Sequence, residues 1–102
     1  MLIVPLQPVP NQAVRVQLNQ QDCQVNVYTK LGSLFVDLYV SNALVVAGVI
    51  AQNQNPIVRS TYLGFSGDIA FIDNEGDDDP VYTGLGSRFS LAYVTAEELA
   101  SG

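Results

Sequence analysis

The side chains best able to do chemistry are concentrated in one stretch, Asp73–Arg88. Its first seven residues include five carboxylates, and calcium prefers carboxylate oxygens, in shells of about six to eight ligands. The EF-hand template does not fit, because a glycine at its sixth position, here Gly76, would place Phe71 at the first ligand position. Two interpretations stay open, a calcium loop of another kind and a solvated acidic loop between two strands. We predict no bound metal, and the weak candidate ligands are Asp73, Glu75 and Asp77.

The chain lacks the residues that the common kinds of catalytic site require. Nucleophilic catalysis by serine or cysteine needs a base, usually histidine, and the chain has no histidine. The one cysteine, Cys23, is too few for a zinc site and cannot form an intramolecular disulfide. The segment that contains Gly84 and Gly86 has no lysine where a Walker-type phosphate loop needs one, so we interpret these two residues as turn glycines. We therefore predict no catalytic residue and no cofactor.

The same stretch is suited to protein recognition. Its carboxylates would attract a basic patch on a partner over long range, and salt would weaken that attraction. Arg88 has two open interpretations, an internal counter-ion for one of the aspartates or a contact with another subunit. The candidate interface residues are Asp77, Asp78, Asp79, Pro80, Tyr82, Gly84, Gly86 and Arg88, with Arg59 and Tyr62 as weaker additions.

Charge is unevenly distributed along the 102 residues. Residues 1–67 carry a net charge of +1, whereas residues 68–102 carry eight carboxylates and one arginine, and the whole chain has a net charge of −6. Phosphate backbones and anionic lipids repel such a chain, so we expect neither nucleic-acid nor membrane partners. Charged residues make up only 14% of the chain against a usual ~25%, which favours a surface partly hidden in an assembly.

Alternating apolar and polar residues predict the elements that hold this stretch in place. In Ala13–Asn19, for example, Val14, Val16 and Leu18 share one face, which is typical of a half-buried strand. The same alternation recurs in Gln24–Lys30, Leu34–Val40, Asp68–Asp73 and Arg88–Val94, and turns are expected at 20–22, 31–33 and 41–43. Closely spaced strands and turns predict an all-β fold, a small antiparallel β-sandwich or barrel of about seven to eight strands with a short C-terminal helical turn.

Other segments have less certain places in this fold. Leu44–Ala51 is almost wholly apolar, which indicates either the central strand of the sandwich or barrel or a face that meets another subunit. Ile57–Tyr62 is expected to form a short strand. Thr95 is expected to cap a helical turn, with Glu98 three residues on completing a capping box.

We expect one domain spanning residues 1–102, with residues 96–102 as a tail. Residues 1–10 contain three prolines and are expected to form an edge strand or an arm that reaches a neighbouring subunit. The N-terminus lacks the basic start of a signal peptide, and the longest apolar run is about half of a membrane span. We therefore expect a soluble protein made in the cytoplasm.

Several stretches resemble one known family of small phage proteins. The similarity is sharpest in Asp78–Phe89, and it extends over nearly the whole chain, from Ile3 to about Leu99. The other stretches that carry it are Val4–Gln12, Val27–Lys30, Leu38–Val40 and Arg59–Asp68. The chain resembles the cyanophage-type baseplate plug proteins of contractile-tailed bacteriophages.

This resemblance implies a structural protein of the virion, synthesised in the cytoplasm of the host bacterium. Such a plug would close the junction of the baseplate hub and the tail tube, and would help fasten the hub and the spike before contraction. Its expected partners are the hub, tail tube and spike proteins, together with further copies of itself in a homo-oligomer of three or six. No enzymatic activity is implied.

Two alternatives to this function remain at this stage. One is a small β module that binds a ligand or carbohydrate, with calcium held in the acidic loop. The other is a hydrolase that uses only Asp and Glu, against which the absence of tryptophan weighs because tryptophan forms sugar platforms.

Overall fold

The computed structural model describes residues 2–59 and 65–101 of the chain. Seven strands, a 3₁₀ turn and a short helix lie in these residues. In chain order they are β1 (Leu2–Val4), β2 (Asn11–Leu18), β3 (Gln21–Lys30), β4 (Ser33–Val40), β5 (Ala43–Ile50), β6 (Asp68–Asp73), the 3₁₀ turn (Tyr82–Gly84), β7 (Phe89–Val94) and α1 (Ala96–Ser101). The all-β fold and the C-terminal helical turn predicted from the sequence are thereby confirmed.

Strands β2 to β5 form one antiparallel sheet in chain order because each is joined to the next by a two-residue turn. Both central residues of each turn have positive φ, which defines the type I′ turn that matches the twist of a hairpin. The three pairs are Asn19–Gln20, Leu31–Gly32 and Ser41–Asn42. The first turn therefore begins one residue earlier than the predicted 20–22, and β3 begins at Gln21.

The second sheet has the order β1–β7–β6 and is also antiparallel. β1 lies at its edge, pairs with β7 and directs Val4 inward, where its side chain is 1% exposed. Leu6 follows into the core after Pro5 has ended the ladder.

One hydrophobic core lies between the two sheets. The inward residues of β3 and β4 are fully buried, as their alternation predicts, and they belong to one cluster with Ile69, Phe71 and Leu91 of the smaller sheet. Two stacked sheets with one shared core form a sandwich. The connection between β6 and β7 belongs to its smaller sheet.

The interpretation of the apolar segment as a central strand is wrong. β5 is an edge strand of the four-stranded sheet, and its outward side chains Leu44 and Ile50 are 55% and 42% exposed. Its inward residues pack against the core, which explains why they are apolar but does not explain the apolar residues on its outward face. A β-bulge interrupts it at Gly48, whose N–H donates to Oδ1 of Asp37 at 2.7 Å.

The short strand expected at Ile57–Tyr62 does not form over residues 57–59, and residues 60–62 lie outside the described part of the chain. The backbone bends here because the buried carboxylate of Asp68 accepts the N–H groups of Ile57, Val58 and Arg59 at 2.8–3.1 Å. A side chain thus takes the donors that a strand would offer to a ladder.

The helical turn begins as its sequence indicates. The Thr95 N–H donates to the Glu98 carboxylate at 3.0 Å, and the Glu98 N–H donates to the Thr95 hydroxyl at 3.1 Å, which confirms the capping box. Within the described residues no helix is both long and apolar enough to span a membrane.

Candidate interaction site

The acidic stretch forms the connection between β6 and β7, and its organising group is the side chain of Asp73. This residue ends β6, and its carboxylate is fully buried. The Glu75 N–H donates to Oδ1 and the Asp78 N–H donates to Oδ2, both at 2.9 Å, so the loop backbone curls around one carboxylate. A buried charge of this kind requires both hydrogen bonds and a counter-ion.

Arg88 supplies that counter-ion from the other end of the loop. Its Nε donates to Oδ1 of Asp73 at 2.9 Å and its Nη2 donates to Oδ2 at 2.8 Å, which is the bidentate geometry that suits a guanidinium. Nη2 also donates to Asp78 at 2.8 Å, and the guanidinium lies 5.1 Å from the centre of the Phe89 ring. Of the two interpretations of Arg88, the structure shows the internal counter-ion.

The pairing shifts the pKa values of both Asp73 and Arg88. The hydrogen bonds from Arg88 hold the pKa of Asp73 far below its ordinary value, against the opposing effect of burial, and the two backbone N–H donors lower it further. The hydrogen bond to Asp73 raises the pKa of Arg88. The pair therefore stays charged across the physiological pH range, and the loop remains closed on it.

A second fastening joins the loop to the connection after β5. The Asn53 N–H donates to Oδ1 of Asp79 at 3.0 Å, and Oδ1 of Asn53 accepts the Asp73 N–H at 2.9 Å. Asn53 thus binds both ends of the acidic run, a role that the sequence analysis missed. A polar Gln–Asn loop gives no signal of which side chain bridges to a loop more than twenty residues away.

The two glycines of the stretch have different roles. Gly86 has φ +83°, the left-handed backbone expected of a turn glycine. Gly84 has no positive φ; it is required because a Cβ there would lie 2.7 Å from the Phe89 ring. Between them Leu85 is 1% exposed and anchors the connection in the core.

The candidate interface residues fall into three groups. Exposed side chains or backbone are found at Asp77, Asp78, Asp79 and Gly86, whereas Tyr82, Gly84 and Arg88 are partly buried and Pro80 is buried. Arg59 is exposed but lies against Asp68 at the start of β6, the opposite end from the acidic loop. Tyr62 lies outside the described residues. The structure therefore brings together the members from 77 to 88 and does not join Arg59 to them.

The weak candidate metal ligands are not equivalent. Both oxygens of Asp73 accept hydrogen bonds from Arg88 and from the loop backbone, whereas Glu75 and Asp77 are exposed. Over residues 2–59 and 65–101 no group of three or more His, Cys, Asp or Glu side chains is arranged to hold a metal ion.

Beside the loop lies a surface groove of about 410 Å³ with an apolar floor and an acidic rim. Its apolar lining consists of Val81, which is 47% exposed, and Phe89, which is only 3% exposed. Asp78 and Asp79 form the rim, next to Arg88. This combination suits an apolar side chain accompanied by a cation, which is a protein contact rather than a catalytic site.

Comparison with known proteins identifies one family. The family model described as "Cyanophage baseplate Pam3 plug gp18" matches residues 1–97, and comparison with curated proteins gave no match. Members of such a family are structural components of the phage tail baseplate and associate there with other baseplate proteins. The resemblance seen in the sequence is thus confirmed, and the chain belongs to the cyanophage baseplate plug family.

Proposed function

We propose that this chain plugs the junction of the baseplate hub and the tail tube in a contractile phage tail and helps fasten the hub and spike before contraction. The observation that carries this proposal is the family match over residues 1–97. The protein acts by being bound in place and has no enzymatic activity. Its neighbours are the hub, tube and spike proteins and further copies of itself, three or six in each baseplate. It is synthesised in the cytoplasm of the host bacterium.

The acidic loop supports this role because it presents a defined charged surface on a rigid base. Asp78 and Asp79 are held by Arg88 and by the Asn53 N–H, so the run cannot spread into solvent. Glu75 and Asp77 project from it with exposed side chains. Charged contacts at a rim are individually modest, which suits a plug that is held by many contacts together.

A double substitution, Glu75→Gln with Asp77→Asn, tests the loop in hub binding. We expect the affinity for the isolated hub complex to fall about fivefold at low salt, since two exposed ion pairs together contribute roughly 1 kcal/mol. The melting temperature should not change, because neither side chain holds the loop. Biolayer interferometry on immobilised hub measures the affinity, and circular dichroism measures the melting temperature.

The matched control is Asp22→Asn, which removes an exposed charge from β3 in the other sheet. An unchanged hub affinity in the double variant, at both low and physiological salt, would show that the acidic loop is not the hub contact. Location is tested independently by a reconstruction of the intact tail tip. Density for the chain anywhere other than the hub–tube junction contradicts the plug assignment.

A further inference from the structure

Leu31 occupies a position that folding does not explain. It is 98% exposed at the tip of the β3–β4 hairpin, and its φ is +53°. Left-handed backbone is unfavourable for leucine, and type I′ turns prefer Asn, Asp or Gly at this place. The other two hairpins of the sheet have a polar residue at the equivalent position, Asn19 and Ser41. An exposed leucine at a strained turn gains nothing inside its own copy, which indicates a contact outside it.

Lys30 adds a positive charge to this tip. It is the last residue of β3, pairs with Ser33 in the ladder and has an exposed side chain. In the described part of the chain no carboxylate lies within ion-pair distance of it. The hairpin therefore presents one large apolar side chain next to one uncompensated cation.

The groove beside the acidic loop is complementary to that tip. Its exposed apolar surface comes from Val81, since Phe89 is only 3% exposed, and its rim carries Asp78 and Asp79. Arg88 already neutralises one charge through Asp73 and Asp78, and within residues 2–59 and 65–101 no cation pairs with Asp79, so the rim stays negative. Because Leu31 is almost fully exposed, it does not fill the groove of its own copy.

We propose that Leu31 and Lys30 of one copy dock in this groove of a second copy, with Leu31 against Val81 and Lys30 against Asp79. The tip belongs to the four-stranded sheet and the groove to the β6–β7 connection of the other sheet, and in the geometry we propose each copy gives its tip to one neighbour and its groove to another, a head-to-tail association that generates a ring when its rotation closes. Opposite charges on the two halves orient the encounter. This inference rests on the proposed function, in which several copies share one baseplate.

The first test is Leu31→Asn in the full chain. Asparagine tolerates the left-handed backbone, so we expect the melting temperature to stay equal or to rise while the dissociation constant for self-association increases at least tenfold. Sedimentation velocity across a concentration series measures the association. The matched control is Leu44→Asn, which removes an exposed leucine from β5 and should leave the association unchanged.

A mixing experiment tests the head-to-tail geometry. Val81→Arg fills the groove and repels Lys30, so this variant and Leu31→Asn should each be monomeric. Mixed in equal amounts they should form heterodimers and no larger species, because only one intact tip and one intact groove remain. Lys30→Glu is the second tip variant; it should be monomeric alone and should pair with Val81→Arg protein as Leu31→Asn does, because its groove is intact.

The proposal is overturned by any of three results. These are a wild-type chain that stays monomeric at every concentration, Leu31→Asn protein that associates like wild type, or loss of association that Leu44→Asn reproduces. The plug role is judged separately by the presence of wild-type chain at the hub in purified tails. If the wild-type chain is found at the hub but its self-association is unchanged by Leu31→Asn, the plug role stands and only the proposed contact between copies is wrong.

Discussion

Replacing Asp73 with asparagine should lower the melting temperature by roughly 10 °C, because it leaves the Arg88 guanidinium without its buried partner. An amide cannot accept both Arg88 hydrogen bonds and both loop N–H groups in the way that a carboxylate does. Thermal unfolding followed by circular dichroism at neutral pH measures the change. Mutation of one partner of a buried ion pair lowers stability mainly because the other charge is left without a counter-ion.

Asp78→Asn is the matched control for this substitution. Asp78 accepts a hydrogen bond from the same Arg88 nitrogen at the same distance of 2.8 Å, but its side chain is 76% exposed. Solvent screens such a pair, so its loss should change the melting temperature by only a few degrees. If the two variants are equally destabilised, the burial of Asp73 is not what makes its pair important.

The same pair predicts how stability depends on pH. The folded-state pKa of Asp73 lies far below the unfolded value of about 3.9, mainly because Arg88 donates to it. Its stabilising contribution is therefore complete above about pH 5 and is lost as pH falls below the unfolded pKa, where the unfolded chain binds the proton first. Between pH 5 and 2 the wild type should lose stability more steeply than Asp73→Asn; parallel curves would contradict the assignment.

Gly86→Ala is expected to destabilise the fold by about 2–4 kcal/mol. Two effects combine at this position. The backbone has φ +83°, which L side chains rarely adopt, and an added Cβ would lie 2.5 Å from the carbonyl oxygen of Leu6. Relief would have to move the backbone that follows β1, since a carbonyl group cannot rotate away as a flexible side chain does. Urea unfolding of the purified variant measures the loss.

Gly32→Ala separates these two effects. Gly32 has nearly the same backbone, with φ +81°, but no atom lies within 4 Å of its Cβ position. Its substitution should therefore cost only the conformational term, about 1 kcal/mol. A loss equal to that of Gly86→Ala would mean that the contact between the loop and the N-terminal segment contributes nothing.

Asp73→Asn and Gly86→Ala both test how the acidic loop is held, and this bears on the plug role. The Asp73–Arg88 pair closes the acidic loop, and the backbone of Gly86 lies close to the Leu6 carbonyl in the segment after β1. The loop is thus held from inside the fold while its outer carboxylates remain on the surface. A preorganised surface loses little entropy on binding, which favours firm seating in a baseplate.

Local patterns in the sequence determined the hairpins, the capping box and the limits of the acidic connection. Each depends on residues close in the chain: alternation along one strand, a two-residue turn, or a donor and acceptor three positions apart. Asp68–Asp73, for example, was predicted as a strand with the bounds that β6 has. Family membership was also readable at this level, since it depends on residue identities from one end of the chain to the other.

Only the tertiary structure decided which of five neighbouring carboxylates is buried, and that the apolar strand β5 lies at an edge. Burial of Asp73 depends on Arg88 and on Asn53, both distant in sequence. The position of β5 depends on which strand follows it in the sheet, and the chain leaves that sheet after Ile50. Charge density and apolar character are properties of a segment, whereas exposure is a property of how the segments pack.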